Sequence, residues 1–273
     1  MGGCMSLIKA HFVSRYSDGL LLNGDLKAIE MVVFAQLSRD RHLLELLNNN
    51  IDMHLYMYEM VYGIPMKNVT KEQRNSIKAV DFGIIYGNGP KTASERTGLP
   101  EDECKSIIET FYEVFPNTKV WQHYNLKKVE EQGYLRLQTG SLLNFQKYPA
   151  KYDWQFKKGI VESYNPPDIK NYPVQHTAGL IMFLILGEVF KIAQTKRTKY
   201  LMINTVHDSL MLDCQNQDTL DEAQQDIQEV INNVPRYMLE LWGIKMLAPI
   251  TMEFSQGKTW IDLKEISKKT CKV

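Results

Sequence analysis

The chain has 273 residues, of which 44% are hydrophobic and 23% charged. That balance is ordinary for a folded globular protein and excludes a chain too polar to bury a core. Lys plus Arg and Asp plus Glu number 32 each, so no excess of basic charge points to nucleic acid; such a surface would have to come from sorting cations onto one face. The four cysteines, Cys4, Cys104, Cys214 and Cys271, have neither metal-ligand spacing nor a disulfide pattern, which fits a reducing compartment.

The opening Met1-Gly2-Gly3-Cys4-Met5-Ser6 fits an N-myristoylation pattern formally, but the match is short and the plain reading is a start region without consequence. Asp18-Gly19 signals a turn, and Leu20-Leu21-Leu22 predicts a short buried strand ending at Asn23-Gly24-Asp25. Ile29, Val32, Val33 and Leu37 then recur at helical spacing. Asp25 therefore falls where a strand stops and a helix begins, a place where an Asp, taken alone, is more often an N-cap than a metal ligand. Thr70 and Gln73 form a capping-box pattern that opens a helix running to near Gly87.

Further helices are predicted over 101–112 and 119–131, and a hairpin over 133–144 turning at Thr139-Gly140. The stretch 144–171, rich in proline and aromatic residues, reads as an ordered loop. A long apolar helix covers 177–194; its apolar run, 178–186, is too short to span a bilayer. Residues 202–213 read as two strands around a tight turn at His207-Asp208. A helix over 218–242 breaks at Pro235, and 249–253 is a closing strand. Strands near both ends and helices between them predict an α+β fold.

Three segments carry chemistry. Asp25 opens the first. The second is the helix from Thr70, where Arg74, Lys78, Phe82 and Tyr86 follow at steps of four and so share one edge. Two cations one turn apart suit a polyphosphate, and an aromatic face beyond them suits a base. Arg-x3-Lys alone would equally be a solvated basic face. The third is Val206-His207-Asp208-Ser209 between apolar strands. A carboxylate there is costly beside a second one unless a cation neutralises both, and Mg²⁺ takes few protein carboxylates and leaves positions for phosphate oxygens.

In order and spacing these segments resemble motifs A, B and C of family A DNA polymerases. Asp25-Leu26-Lys27-Ala28-Ile29-Glu30, with Ala35-Gln36-Leu37-Ser38-Arg39-Asp40 and Asp52-Met53-His54 after it, resembles the first; Arg74 to Gly87 resembles the second; Val206-His207-Asp208 resembles the third. Asn171-Tyr172-Pro173-Val174-Gln175 and Lys258-Thr259-Trp260 are similar to further family segments.

The resemblance implies a right-hand polymerase core with an antiparallel palm sheet and a helical fingers insertion. It implies palm from 1–40 and 165–273, fingers from 41–164, and no thumb or exonuclease domain. Asp25 and Asp208, with the Leu26 carbonyl, would hold two Mg²⁺ ions, for which Mn²⁺ could substitute. Lys78 would be the proton donor to pyrophosphate. Glu30, His54, Arg74, Lys78, Phe82 and Tyr86 would bind the dNTP, with Glu30 excluding a ribose 2′-hydroxyl and pairing with Tyr86. Asn171, Gln175 and His207 would contact primer–template DNA near its terminus.

Departures from the family are Ser209 in place of an acidic residue, Lys27 in place of a small polar one, His176 after Gln175 and Ser141 after Thr139-Gly140. Pro167 lies where the family has Arg. The expected partners are primer–template DNA, dNTPs and a separate chain carrying thumb and exonuclease, with no membrane, in the cytoplasm of the cell or of a phage's host. The competing reading is a nucleotide- or DNA-binding remnant without turnover. The 148–158 stretch mixes aromatics with lysines, which fits single-stranded template, but a packed loop with snorkelling lysines is the plainer reading.

Overall fold

The computed structural model describes residues 8–151, 153–196 and 198–266. The myristoylation pattern, Cys4, Tyr152 and Cys271 lie outside them. The chain divides into two compact units: residues 1–29, 178–245 and 250–273, and residues 30–177 with 246–249.

The first unit is built on a five-stranded antiparallel sheet. Its central strand is Leu20–Leu26, flanked by Ser209–Cys214 and Met252–Gly257; Tyr200–Val206 and Lys264–Glu265 form the edges. The sheet therefore joins strands from both ends of the sequence, as the strand distribution predicts. In this central strand Leu21 and Leu22 are fully buried.

Helix Gln217–Trp242 packs across Leu20–Leu26, Tyr200–Val206, Ser209–Cys214 and Met252–Gly257. It buries Leu220, Ala223, Ile227, Val230, Val234 and Met238, the three- and four-residue spacing of one helical face. The helix does not break at Pro235 but carries it inside the run. Asp226, buried on this face, accepts from Tyr200 Oη at 2.8 Å and pairs with Lys196, tying the helix to the start of the hairpin. At the other end Asp213 accepts from Ser14 Oγ at 2.6 Å and Arg15 Nε at 3.1 Å, which fastens the amino-terminal segment to Ser209–Cys214.

The second unit is mainly helical. Ile29–Ser38, Lys71–Ile85, Glu101–Val114 and Pro116–Gln132 fall within one to three residues of expectation. Arg41–Asn48, Met53–Tyr62 and Pro90–Thr97 had not been predicted. The first two are announced by their caps: Asp40 accepts from Leu43 N and Asp52 from the His54 and Leu55 amides. Asp40 also accepts from Asn117 N at 3.0 Å, and Gln36 from Leu247 N at 2.8 Å, so these family-like residues hold the unit together.

The hairpin Tyr134–Arg136/Leu142–Asn144 forms as expected. The stretch read as a loop is a second hairpin, Lys147–Pro149 with Glu162–Tyr164, around the short helix Asp153–Lys157. The helix predicted from 177 begins earlier, at Pro166, and runs to Lys196 with Pro173 inside. Proline in the first turn removes only donors that lack partners there anyway, so Pro166 and Pro167 start the helix rather than forbid it. At 31 residues this helix is long and apolar enough to cross a membrane by length and composition alone. Its Ile169 is instead a buried member of a core cluster with Val129 and Leu135.

Candidate active site

The carboxylates lie on the sheet of the first unit. Asp25 is the last but one residue of Leu20–Leu26, not a residue beyond the strand. Its ladder partners are Ser209 on one side and Glu253 on the other. Pairing on both flanks carries the hydrogen-bond ladder through Leu26, past the Asn-Gly signal that suggested an earlier stop. Gly24 permits this: a Cβ there would sit 2.5 Å from Met252 Sδ.

Asp208 occupies the two-residue turn between Tyr200–Val206 and Ser209–Cys214. His207, at φ 55°, supplies the left-handed residue that such a turn requires. The Leu26 amide donates to the Asp208 carbonyl at 3.0 Å, fastening the turn to the end of the central strand. Asp25 is exposed, yet its carboxyl is raised above the ordinary range by partial desolvation and then by the charges of Asp208 and Glu253.

Three anionic groups thus act on one spot, and Lys27, 3.8 Å from Glu253, is the cation paired with one of them. Among the described residues no cluster of three or more His, Cys, Asp or Glu side chains forms a ready metal cage. The donor set fits an ion such as Mg²⁺ that takes two carboxylates and completes its shell with water and substrate oxygens. Glu253 is the group sequence reasoning missed. Its signal is the lone charge between Met252 and Phe254, both buried, which turns it to the face that carries Asp25.

The cationic stripe lies in the second unit, on helix Lys71–Ile85. Thr70 caps the helix with a complete capping box. Ile77, Val80, Asp81, Ile84 and Ile85 face inward, which turns Arg74, Lys78, Phe82 and Tyr86 along the less buried edge. Arg74 reaches Asp52 with two nitrogens, at 2.8 and 2.7 Å. Burial alone would raise the Asp52 carboxyl, but the Arg74 hydrogen bond, the Leu55 amide and the neighbouring positive charge hold it below the usual range.

His54 donates or accepts through Nδ1 at 2.8 Å from Asp81 Oδ2, with 9% of the His54 side chain and none of the Asp81 side chain exposed. Burial pushes the Asp81 carboxyl upward against the pull of His54. The Phe82 ring lies 5.5 Å from the imidazole, and Lys78 Nζ 5.5 Å from the Phe82 ring centre. Tyr86 stacks on Phe82 at 6.4 Å and donates its hydroxyl to Glu30. Asp81 too was missed; a single acid on the apolar face of a helix is its only trace in the sequence.

Asn171 and Gln175 stand on the early turns of helix Pro166–Lys196, Gln175 exposed and Asn171 with a buried, unpartnered Oδ1. That part of the helix approaches Gly87, where a Cβ would come within 2.9 Å of Pro167 Cα and φ is +74°. The structure therefore gathers Asp25, Leu26, His207 and Asp208 in one unit, and Glu30, His54, Arg74, Lys78, Phe82 and Tyr86, with Asn171 and Gln175, in the other.

The sequence is 26% identical over 259 residues to DNA polymerase I of Streptococcus pneumoniae, covering 94% of this chain and 28% of that protein. It is 26% identical over 247 residues to the thermostable DNA polymerase I of Thermus aquaticus, covering 90% and 27%. The chain thus spans well under a third of the length of these relatives. The fold matches the polymerase domain of the M. smegmatis enzyme, solved with primer–template DNA and dNTP, with a TM-score of 0.78 at 20% identity, over 94% of this chain and 43% of that one. The profile of DNA polymerase family A matches residues 4–262, nearly the whole chain that carries these motifs, and the chain belongs to that family.

Proposed function

We propose that the chain performs template-directed DNA synthesis, transferring a nucleotide from a dNTP to a primer 3′-hydroxyl. The observation that carries this reading is the mutually repelling Asp25–Asp208 pair, in a family A chain that also keeps the Arg74-Lys78-Phe82-Tyr86 edge intact. Asp25, Asp208 and the Leu26 carbonyl would hold two Mg²⁺ ions, with Mn²⁺ as a substitute. When bound, these ions acidify the primer hydroxyl and neutralise the departing pyrophosphate.

The protein's own part is positioning and charge. Arg74, Lys78 and His54 bind the triphosphate, and Lys78 gives pyrophosphate its proton. Phe82 flanks the base and sugar. Tyr86 stacks beside the template and holds Glu30 against a 2′-hydroxyl, which selects deoxynucleotides. Asn171, Gln175 and His207 contact the primer–template backbone, as befits binding without sequence preference. In this reading residues 1–40 and 165–273 are palm and 41–164 fingers, and the enzyme works in the cytoplasm, of a phage-infected cell if the gene is viral.

Primer extension with Mg²⁺ and dNTPs tests the proposal, on the chain alone and with a thumb-bearing polypeptide added. Extension in either arm that disappears in Asp25→Ala supports it. Nucleotide binding with no extension in both arms would replace it with the remnant reading.

A further inference from the structure

Asp81 has no exposed side-chain surface, and its Oδ1 has no hydrogen-bond partner. A carboxylate so placed is costly unless a neighbour compensates it, and among the described residues the group hydrogen-bonded to it is the Nδ1 edge of His54, at 2.8 Å. Compensation needs one proton more than a neutral imidazole beside an ionised carboxylate would carry. A pair that carries this proton would hold it either as imidazolium and carboxylate or as imidazole and carboxylic acid. Both forms fix the ring, because Nδ1 is committed to Asp81 and the Phe82 ring packs against the imidazole. The remaining polar atom of His54 is Nε2.

We infer that Asp81 is a positioning residue for nucleotide binding: it orients His54 and keeps it supplied with a proton, so that Nε2–H is a charged donor to a phosphate oxygen of the incoming dNTP. This rests on the reading that His54 faces the triphosphate. A triphosphate near Nε2 favours the imidazolium–carboxylate form, since the negative phosphate stabilises the positive ring. The proton then sits on His54 and the charge it balances on Asp81; no bond is made or broken beyond that shift.

The charged groups around the ring agree. Asp52, on the cap of its own helix, adds negative potential, and Arg74 is held by that same carboxylate rather than left to oppose the imidazolium. Lys78 lies over Phe82. On the neighbouring helix Glu101–Val114, Glu103 accepts from the Tyr62 hydroxyl; on the His54 helix itself, Glu59 accepts from the Met66 amide.

The test is equilibrium binding of a non-hydrolysable dNTP to the full chain between pH 6 and 9, in native protein, Asp81→Asn, His54→Gln and the double variant. Asparagine keeps the shape and an acceptor for Nδ1 but cannot balance a charge. The expected results are binding that strengthens as pH falls in native protein, about tenfold weaker binding with a flattened pH profile in Asp81→Asn, and no additional loss when Asp81→Asn is added to His54→Gln. Binding by Asp81→Asn equal to native with the same pH profile overturns the inference, as does an undiminished effect of Asp81→Asn in the His54→Gln background. Native protein that binds no dNTP at all overturns the functional reading itself, a result distinct from both. A circular-dichroism melt of each variant separates these outcomes from unfolding, and Asp81→Glu, which restores the charge, should recover part of the pH dependence.

Discussion

The two units solve their charge problems in opposite ways. On the sheet, Asp208 and Glu253 each repel the charge on Asp25, and the exposed Lys27 pairs with Glu253. On the helices three acids each have a partner: Asp52 has Arg74, Asp81 has His54 and Glu30 has Tyr86. The sheet is therefore built to be completed by a cation from outside. On the helical edge Arg74 is already held by the Asp52 carboxylate, so its direction is set before any ligand arrives. Local geometry explains why each device sits where it does. A strand end and a two-residue turn can hold two acids at fixed places without covering them, whereas packed helices bring together side chains from distant segments, as in Asp52–Arg74, His54–Asp81 and Glu30–Tyr86.

That contrast can be broken first at the sheet. If Asp25 and Asp208 carry the chemistry as proposed, Asp25→Ala or Asp208→Ala should lower primer extension by about a thousandfold or more. If either variant keeps native rates, the carboxylates are not the centre of the chemistry.

Next is the helical edge. Arg74→Ala would remove the proposed phosphate contact and also free Asp52, whose carboxyl should rise toward its usual range. The expected outcome is a KM for dNTP raised about ten- to a hundredfold with a smaller change in kcat. A loss confined to kcat would mean that Arg74 does not hold the ground-state nucleotide. Glu30→Ala should relax sugar choice, raising ribonucleotide incorporation about tenfold or more relative to deoxynucleotide, read by competition between the two substrates. Tyr86→Phe, which cuts only the hydroxyl link to Glu30, should do the same more weakly.

The smallest effect sharpens the electrostatic half of the contrast. The Asp25 carboxyl is raised in the folded chain, so its ionisation costs stability at neutral pH, and that cost is relieved as pH falls through the raised value and the group takes up a proton. Without metal, Asp25→Asn should therefore melt at or slightly above the native temperature near pH 7. Mg²⁺ should raise the native melting temperature by roughly a few degrees at neutral pH, and this gain should shrink as protons compete for the carboxylate. A melting temperature blind to Mg²⁺ at pH 7 would show that the repulsion is not answered by a cation.

Much of this was legible from residue patterns. The capping box at Thr70, the step-of-four stripe and the two-residue turn at His207-Asp208 depend on neighbours within a few positions, so the chain itself states them. The loop expected over 144–171 was misread because turn-forming residues also build short hairpins, and because proline at Pro166 and Pro167 starts a helix as readily as it ends one. Helices Arg41–Asn48 and Met53–Tyr62 were overlooked although their Asp caps were present, since one acid before a short segment is a weak signal without the contacts that stabilise it.

The sequence by itself determined the family motifs, the α+β order of elements and the side chains available for metal and phosphate. Only the tertiary structure decided that Glu253 stands beside Asp25 and that Asp81 is sealed against His54. Strand register and helix packing bring together residues far apart in the chain, and a charge acquires its meaning from what burial and its neighbours do to it.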